Sequence, residues 1–304
     1  MRWEDFRRSD NIEDERDGSS GGGMPGGGFG GGGRLGIGTV IVLGLVGWAL
    51  GIDPSILIGG AEVLSGGGSS YQQTQREPSA RSGAPTDREG QFVAAVVGNT
   101  EDVWKVVFQR SGQTYRPPRL RLFDGTVSSP CGMASSASGP FYCPSNQRIY
   151  LDTSFFREMQ VKFHGCDGKA CEFAQAYVIA HEVGHHIQNQ LGVLAKVREA
   201  QQASGNRTTA NQLQVRVELQ ADCFAGVWAH HSQRSKGWLD QGDIEEAMNA
   251  AAQIGDDTLQ RRTQGMVVPE SFTHGTSAQR MDWFKRGLQT GEVNQCDTLG
   301  SNQF

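Results

Sequence analysis

The chain has 304 residues, 42 of them glycine, a formal net charge of −5 and six cysteines. Its length admits two domains of average size, but the glycines crowd into the early part, so the chain cannot be divided by length alone. The slightly acidic balance, with no run of Lys or Arg after residue 52, excludes a nucleic-acid-binding surface on electrostatic grounds.

In chain order, "GSSGGGMPGGGFGGGG" at 18–33 has almost nothing to bury and cannot offset its own ordering entropy, so residues 1–34 read as a disordered Gly-rich tail. Residues 35–52, "LGIGTVIVLGLVGWALGI", run without a charge for the length of a bilayer-spanning helix. A cleaved signal peptide fits less well, because 34 residues precede the stretch and no A-x-A site follows it. Arg2, Arg7, Arg8, Arg16 and Arg34 lie before the span, and no Lys or Arg follows until Arg76. By the positive-inside rule the expectation is a single-pass protein of the inner (cytoplasmic) membrane, N-terminus in the cytoplasm and everything beyond residue 52 periplasmic or extracellular.

Residues 53–89 are polar and rich in Gly, Ser and Pro, and read as a flexible linker. Residues 90–304 are long enough for one core. All six cysteines lie in this part, which suits an oxidising compartment, and nearness in sequence favours Cys131–Cys143, Cys166–Cys171 and Cys223–Cys296. Residues 91–112 have helical spacing, with Thr100 as an N-cap at which the helix restarts. "RLRLF" (119–123) and "RIYLD" (148–152) alternate as short strands. The Gly/Ser-rich piece between them reads as a loop or edge strand, 154–163 as helix, and nearly everything beyond Cys171 as helix. The fold class is therefore α+β and mostly helical, with a small sheet preceding the helix at 176–190 and a single N-terminal transmembrane helix.

That helix, "AYVIAHEVGHHIQNQ", holds three of the seven histidines. His181 and His185 stand four residues apart on one helix face, close enough to grip one cation. Glu182 is adjacent, where it can serve a metal-activated water as a base. The H-E-x-x-H pattern binds Zn²⁺ through two neutral imidazoles. A helix with accidentally crowded histidines is the plain alternative. Gly184, costly inside a helix by about 1 kcal/mol relative to alanine, points to a second element passing close by. Zinc catalysis needs a third ligand, and Gln188 and Leu191 occupy the positions where a metzincin would carry its glycine and third histidine. "VRVELQADCFAGVWAH" (215–230) instead offers Glu218 as the third ligand, with Asp222 one turn on to accept from Nδ1 of His181. A solvated acidic face is the alternative, against which stand the apolar neighbours Val217, Leu219, Ala221 and Phe224.

His186 projects away from that face and reads as a hydrogen-bonded, partly buried histidine. His230 and His231 suit a helix C-terminus. His274 sits in a Gly/Thr turn before a helix at 277–288, where it can reach a cleft and donate to an oxyanion; Arg280 and Tyr150 stand behind it in that role. A structural turn histidine is the equal alternative.

"IAHEVGHHIQNQLG", "ELQADCFAGVWA", "IGDDTLQ" and "ESFTHGTSAQRMDWFKRG" together resemble the signature segments of the YpfJ-like family of bacterial neutral zinc metallopeptidases. The resemblance covers residue 90 to the C-terminus, the Gly-rich head and the span. It implies a zincin-like fold of gluzincin type, an anchored topology and peptidase activity, with no departure at His181, Glu182, His185 or Glu218. The expected function is a membrane-anchored zinc endopeptidase acting on peptide or protein substrates. The alternative is a catalytically idle zincin scaffold serving as an interaction or chaperone-like module, and a zinc hydrolase of a non-peptide bond comes third. Oligomeric state and natural substrate have no signal in the sequence.

Overall fold

The computed structural model describes residues 1–16, 81–83, 85–135, 139–162, 169–240, 242–245, 248, 252, 255–264 and 266–300. Strand β1 is Ile12–Asp14 and β2 is Arg81–Ser82; β3 (Arg119–Phe123) and β7 (Arg148–Asp152) are the two alternating stretches. Between them β4 (Thr126–Ser129) and β5 (Gly132–Ser135) form a separate hairpin, and β6 is Phe141–Cys143. The five-stranded sheet runs β2-β1-β3-β7-β6; β1, β3 and β7 are mutually parallel and the two outer strands antiparallel.

Helices α1 (Arg88–Arg110), α3 (Lys169–Gln190), α5 (Arg207–Lys236) and α7 (Ser277–Thr290) supply most of the core. Shorter helices are α2 (Thr153–Lys162), α4 (Val193–Ser204) and α6 (Asp256–Gln264). Ile12, Leu120, Leu122, Ile149 and Leu151 are fully buried in one cluster with Val93, Phe173, Tyr177, Phe224 and Trp228. Helix α1 starts where Asp87 accepts from the backbone N–H of Gly90, and it does not restart at Thr100. The Thr100 hydroxyl bonds back to the Val97 carbonyl at 2.7 Å, an arrangement a helix interior tolerates.

The arrangement of the N-terminal part corrects two expectations. No helix among the described residues is long and apolar enough to cross a membrane, and the expected span at 35–52 lies outside those residues. The transmembrane helix is therefore withdrawn from the fold class. The inner-membrane placement fails on a separate observation. Met1, Trp3, Phe6 and Ile12 are buried in the same core as α1, α3 and α5, and β1 is paired on both sides within the sheet. Segments that share one core occupy one compartment, so a cytoplasmic N-terminus and an external domain are incompatible. The docking is specific. Glu101 accepts from Arg7 Nη2 at 2.6 Å, Ser9 Oγ at 2.6 Å and Asn11 Nδ2 at 2.8 Å. Any Cβ at Gly98 would collide with the Arg7 carbonyl, so glycine is what lets the segment cross α1.

Two of the expected disulfides are present: Cys131–Cys143 ties the β4–β5 hairpin to β6, and Cys223–Cys296 ties α5 to the C-terminal turn. Cys171 is also disulfide-bonded, and Cys166, its expected partner, lies outside the described residues.

On the sheet face away from the main core, Glu13 accepts from Arg119, Arg121 and Arg148 at 3.1, 3.3 and 3.1 Å. Burial alone would push its carboxyl up, but hydrogen bonds from Arg148 and Arg119 hold it below the usual carboxylate range. A depressed carboxyl contributes stability above its unfolded pKa and loses it as pH falls through the folded one. Glu13→Gln should destabilise by about 1–3 kcal/mol at pH 7, with the gap to wild type closing between about pH 5 and 3. Urea titrations at the two pH values check this.

Candidate metal centre

The site forms where α3 crosses α5. A Cβ on Gly184 would lie 2.9 Å from the Ala221 carbonyl oxygen and 3.0 Å from its Cα, so the two backbones touch there. Beside this contact α3 presents His185 and, one turn earlier, His181, while α5 presents Asp222 and, one turn earlier, Glu218. His181, His185 and Glu218 each offer one ligand atom, and these atoms all lie within 4.8 Å of one another. Nε2 of His181 is 3.1 Å and Nε2 of His185 is 3.4 Å from Oε2 of Glu218.

The far side of each ring is held. Nδ1 of His181 donates to Asp222 Oδ1 at 2.8 Å, as the i, i+4 spacing of Glu218 and Asp222 suggests. Nδ1 of His185 donates to Oε1 of Gln188 at 2.8 Å. The Gln188 amide can face only one way, because its Nε2 donates to the Val217 carbonyl at 2.7 Å and to Gln220 Oε1 at 3.1 Å. Both imidazoles therefore aim Nε2 at the gap beside Glu218. The other oxygen of Glu218 accepts from Gln214 at 2.8 Å. Gln188 is fully buried and escaped the sequence reading, which used it only to exclude a metzincin.

The charge pattern fits a cation. Burial opposes charge on His181, yet Asp222 and Glu218 raise its pKa to about 10. Burial would push Glu218 up, but His185 and His181 hold it well below the ordinary carboxylate range. Protons thus occupy a place that is negative without them, and a divalent ion binding two neutral imidazoles and a carboxylate displaces them. Two nitrogens and one oxygen are a donor set suited to Zn²⁺.

These residues line a cleft of about 1290 Å³ together with Glu182, His274 and Arg280. Glu182 is 7% exposed, and no described residue hydrogen-bonds its carboxylate. Burial pushes its pKa up, against the opposing charges of His185 and His181. His274 is half exposed in the cleft wall, with Nδ1 3.3 Å from Asp256 Oδ1. Oδ2 of the same aspartate accepts from the backbone N–H groups of Thr273, His274 and Gly275 at 2.7, 2.6 and 3.1 Å. Asp256, the first residue of α6, thus anchors the turn that carries His274. Burial disfavours charge on His274, but the Asp256 hydrogen bond and the Glu218 charge raise its pKa above the ordinary histidine value.

The two residues expected behind His274 have other partners. Tyr150 is 1% exposed on the opposite face of the sheet, stacked on Phe141 at 4.8 Å. Arg280 pairs with Asp222. His186 is fully buried; its Nε2 donates to the Arg116 carbonyl at 2.6 Å and its Nδ1 accepts from Tyr142 at 3.0 Å, while burial lowers its pKa to about 4. His230 and His231 bond to the carbonyls of Leu288 and Gly291 at the end of α7. His164 lies outside the described residues.

The chain matches a family model described as "Putative neutral zinc metallopeptidase" over residues 1–299. It is 46% identical over 303 residues to the Escherichia coli (strain K12) protein named "Uncharacterized protein YpfJ", across 99% of this chain and 100% of that one. It is 44% identical over 232 residues to "Uncharacterized protein Rv2575" of Mycobacterium tuberculosis (strain H37Rv), across 73% of this chain and 74% of that one. No solved structure matches the chain.

Gln188→Leu removes the acceptor that orients His185 and should weaken Zn²⁺ binding about 10–100-fold, measured by competition with a chromophoric chelator. Unchanged affinity would mean that His185 needs no such partner.

Proposed function

The chain belongs to the neutral zinc metallopeptidase family, and from that premise we propose that it is a zinc-dependent endopeptidase whose centre is His181, His185 and Glu218 and whose general base is Glu182. The observation that carries this reading is the convergence of the three ligand-bearing side chains, Glu182 and His274 on one cleft. When bound, zinc supplies a Lewis acid that polarises the scissile carbonyl and lowers the pKa of water.

The chain's own groups do the rest. His181 and His185 direct Nε2, and Glu218 one oxygen, toward the open side of the cleft. Glu182, buried and without a competing hydrogen-bond partner among the described residues, takes the proton of the attacking water and returns it to the leaving amine. Its burial favours both steps, since a carboxyl pushed upward is a better base and a readier acid. His274, whose proton is favoured by the hydrogen bond to Asp256, donates to the oxygen that becomes negative as water adds to the carbonyl. A purely structural zinc would need the ligands but no base, so Glu182 also separates this reading from an idle scaffold.

Purified protein should hold about one zinc per chain, as three ligands and one open position imply, and His185→Ala and Glu218→Ala should lose it by elemental analysis. Glu182→Gln should keep zinc and fold while losing hydrolysis of a peptide library by about 10²–10⁴-fold. A zinc-loaded wild type that cleaves nothing, or a Glu182→Gln variant as fast as wild type, defeats the mechanism.

The pH profile tests His274. Because Asp256 raises its pKa, activity should persist above pH 6.5 and fall as the ring loses its proton. Asp256→Asn removes the carboxylate that holds that proton, so the alkaline limb of kcat/KM should move toward lower pH. His274→Ala should lower kcat by about 10²–10³ with zinc retained.

A further inference from the structure

Arg280 lies in the first turn of α7, 3% exposed, and its guanidinium meets both oxygens of Asp222: Nε to Oδ2 at 2.8 Å and Nη2 to Oδ1 at 2.9 Å. Nη2 also donates to the Tyr177 hydroxyl at 3.1 Å, and that hydroxyl donates to Asp222 Oδ1 at 2.5 Å. Asp222 is fully buried, and Oδ1 is the same oxygen that accepts from Nδ1 of His181. One carboxylate is thus fixed in its plane by a two-pronged cation and a phenol, and through its remaining capacity it fixes the first metal-facing imidazole.

The placement of Arg280 follows from the local chain. Thr276 and Gln279 form a reciprocal capping box at the start of α7, and Asp257 accepts from the Ser277 N–H at 2.8 Å. Glycines at 226 and 287 bring α5 and α7 together, since a Cβ at either would strike the other helix's backbone. These contacts fix the register in which Arg280 faces Asp222. Charge requires it as well. With a divalent cation in place, that ion and Arg280 together balance Glu182, Glu218 and Asp222. Without Arg280 the buried centre keeps an uncompensated negative charge, and Asp222 loses the partner that holds it in plane.

We propose that Arg280 is a positioning residue of the metal centre: its two-pronged pairing aligns Asp222 on Nδ1 of His181, and it acts on metal affinity through that carboxylate rather than on the substrate. The proposal rests on the assignment of His181, His185 and Glu218 as the metal site and not on peptidase activity. Zn²⁺ affinity of the full chain, measured by chelator competition, tests it without substrate. Arg280→Met should weaken binding about 10–100-fold. Arg280→Lys keeps the charge but cannot meet both oxygens, and should fall between Met and wild type. Asp222→Asn should weaken binding by a similar factor, and the double variant Arg280→Met/Asp222→Asn should bind within about twofold of Asp222→Asn alone, because the two act as one unit.

Wild-type zinc affinity in Arg280→Met, or losses that multiply in the double variant, would each overturn the proposal. Should Arg280→Met not fold, Arg280→Lys decides: affinity within twofold of wild type overturns it. Affinities that follow the expected order in a protein that cleaves no peptide would leave Arg280 in this role and defeat the peptidase reading instead.

Discussion

The polar contacts that join α3 to α5 at the centre depend on the two helices touching backbone to backbone where Gly184 meets Ala221. At a usual helix spacing of 8–10 Å the side chains of two helices interleave and hold the axes apart. Here the residue at the crossing has no side chain, so groups one turn away can bond across the interface directly. His181 reaches Asp222, and Gln188 reaches the Val217 carbonyl. The same device recurs between α5 and α7 at Gly226 and Gly287, which brings a guanidinium within reach of a carboxylate in the middle of the core. Helix α5 is thus the common member of two tight crossings, and the centre lies between them.

Burial of this many ionisable groups would be prohibitive singly, since an isolated charge in a low-dielectric interior costs far more than one hydrogen bond returns. The arrangement works because the charges are interlocked and no large group is left facing apolar surface alone. Asp222 accepts from a histidine, an arginine and a tyrosine, and Glu218 from two histidines and a glutamine. Glu182 is the exception, buried beside the cleft with no hydrogen-bond partner among the described residues, and burial pushes its pKa up.

The parts of this arrangement that follow a short period were legible in the sequence. His181 with His185, and Glu218 with Asp222, are spaced at one helical turn, and the alternation in 119–123 and 148–152 gave strands at those bounds. Gly184 pointed to a close neighbour, though not to which one. Gln188 and Asp256 carried no comparable signal, because an amide or an aspartate that fixes a histidine by a contact across the fold looks the same in sequence as one that faces water. The place of the N-terminal sixteen residues carried no local signal for a related reason. Their neighbours in sequence are glycines, but their partners in space are Glu101, Leu120 and the core of α1, about a hundred residues on. Composition is a local measure, and it assigned the segment to the tail beside it.

The place of β1 in the sheet has a practical side. Because Ile12–Asp14 lies between β2 and β3, it is an interior strand supplied from the N-terminal side of the Gly-rich stretch. The whole Gly-rich stretch must be made, and β3 after it, before that slot can fill, so the sheet is completed by a contact of long sequence separation, of the kind that forms slowly. A shortened protein beginning after the glycines, the boundary that composition invites, would remove a strand from within the sheet and leave β3 with a bare hydrogen-bonding edge. Edges of that sort pair with other chains. Poor solubility of such a fragment would then reflect the missing strand, and its failure to hydrolyse anything would carry no information about the chemistry of the intact protein.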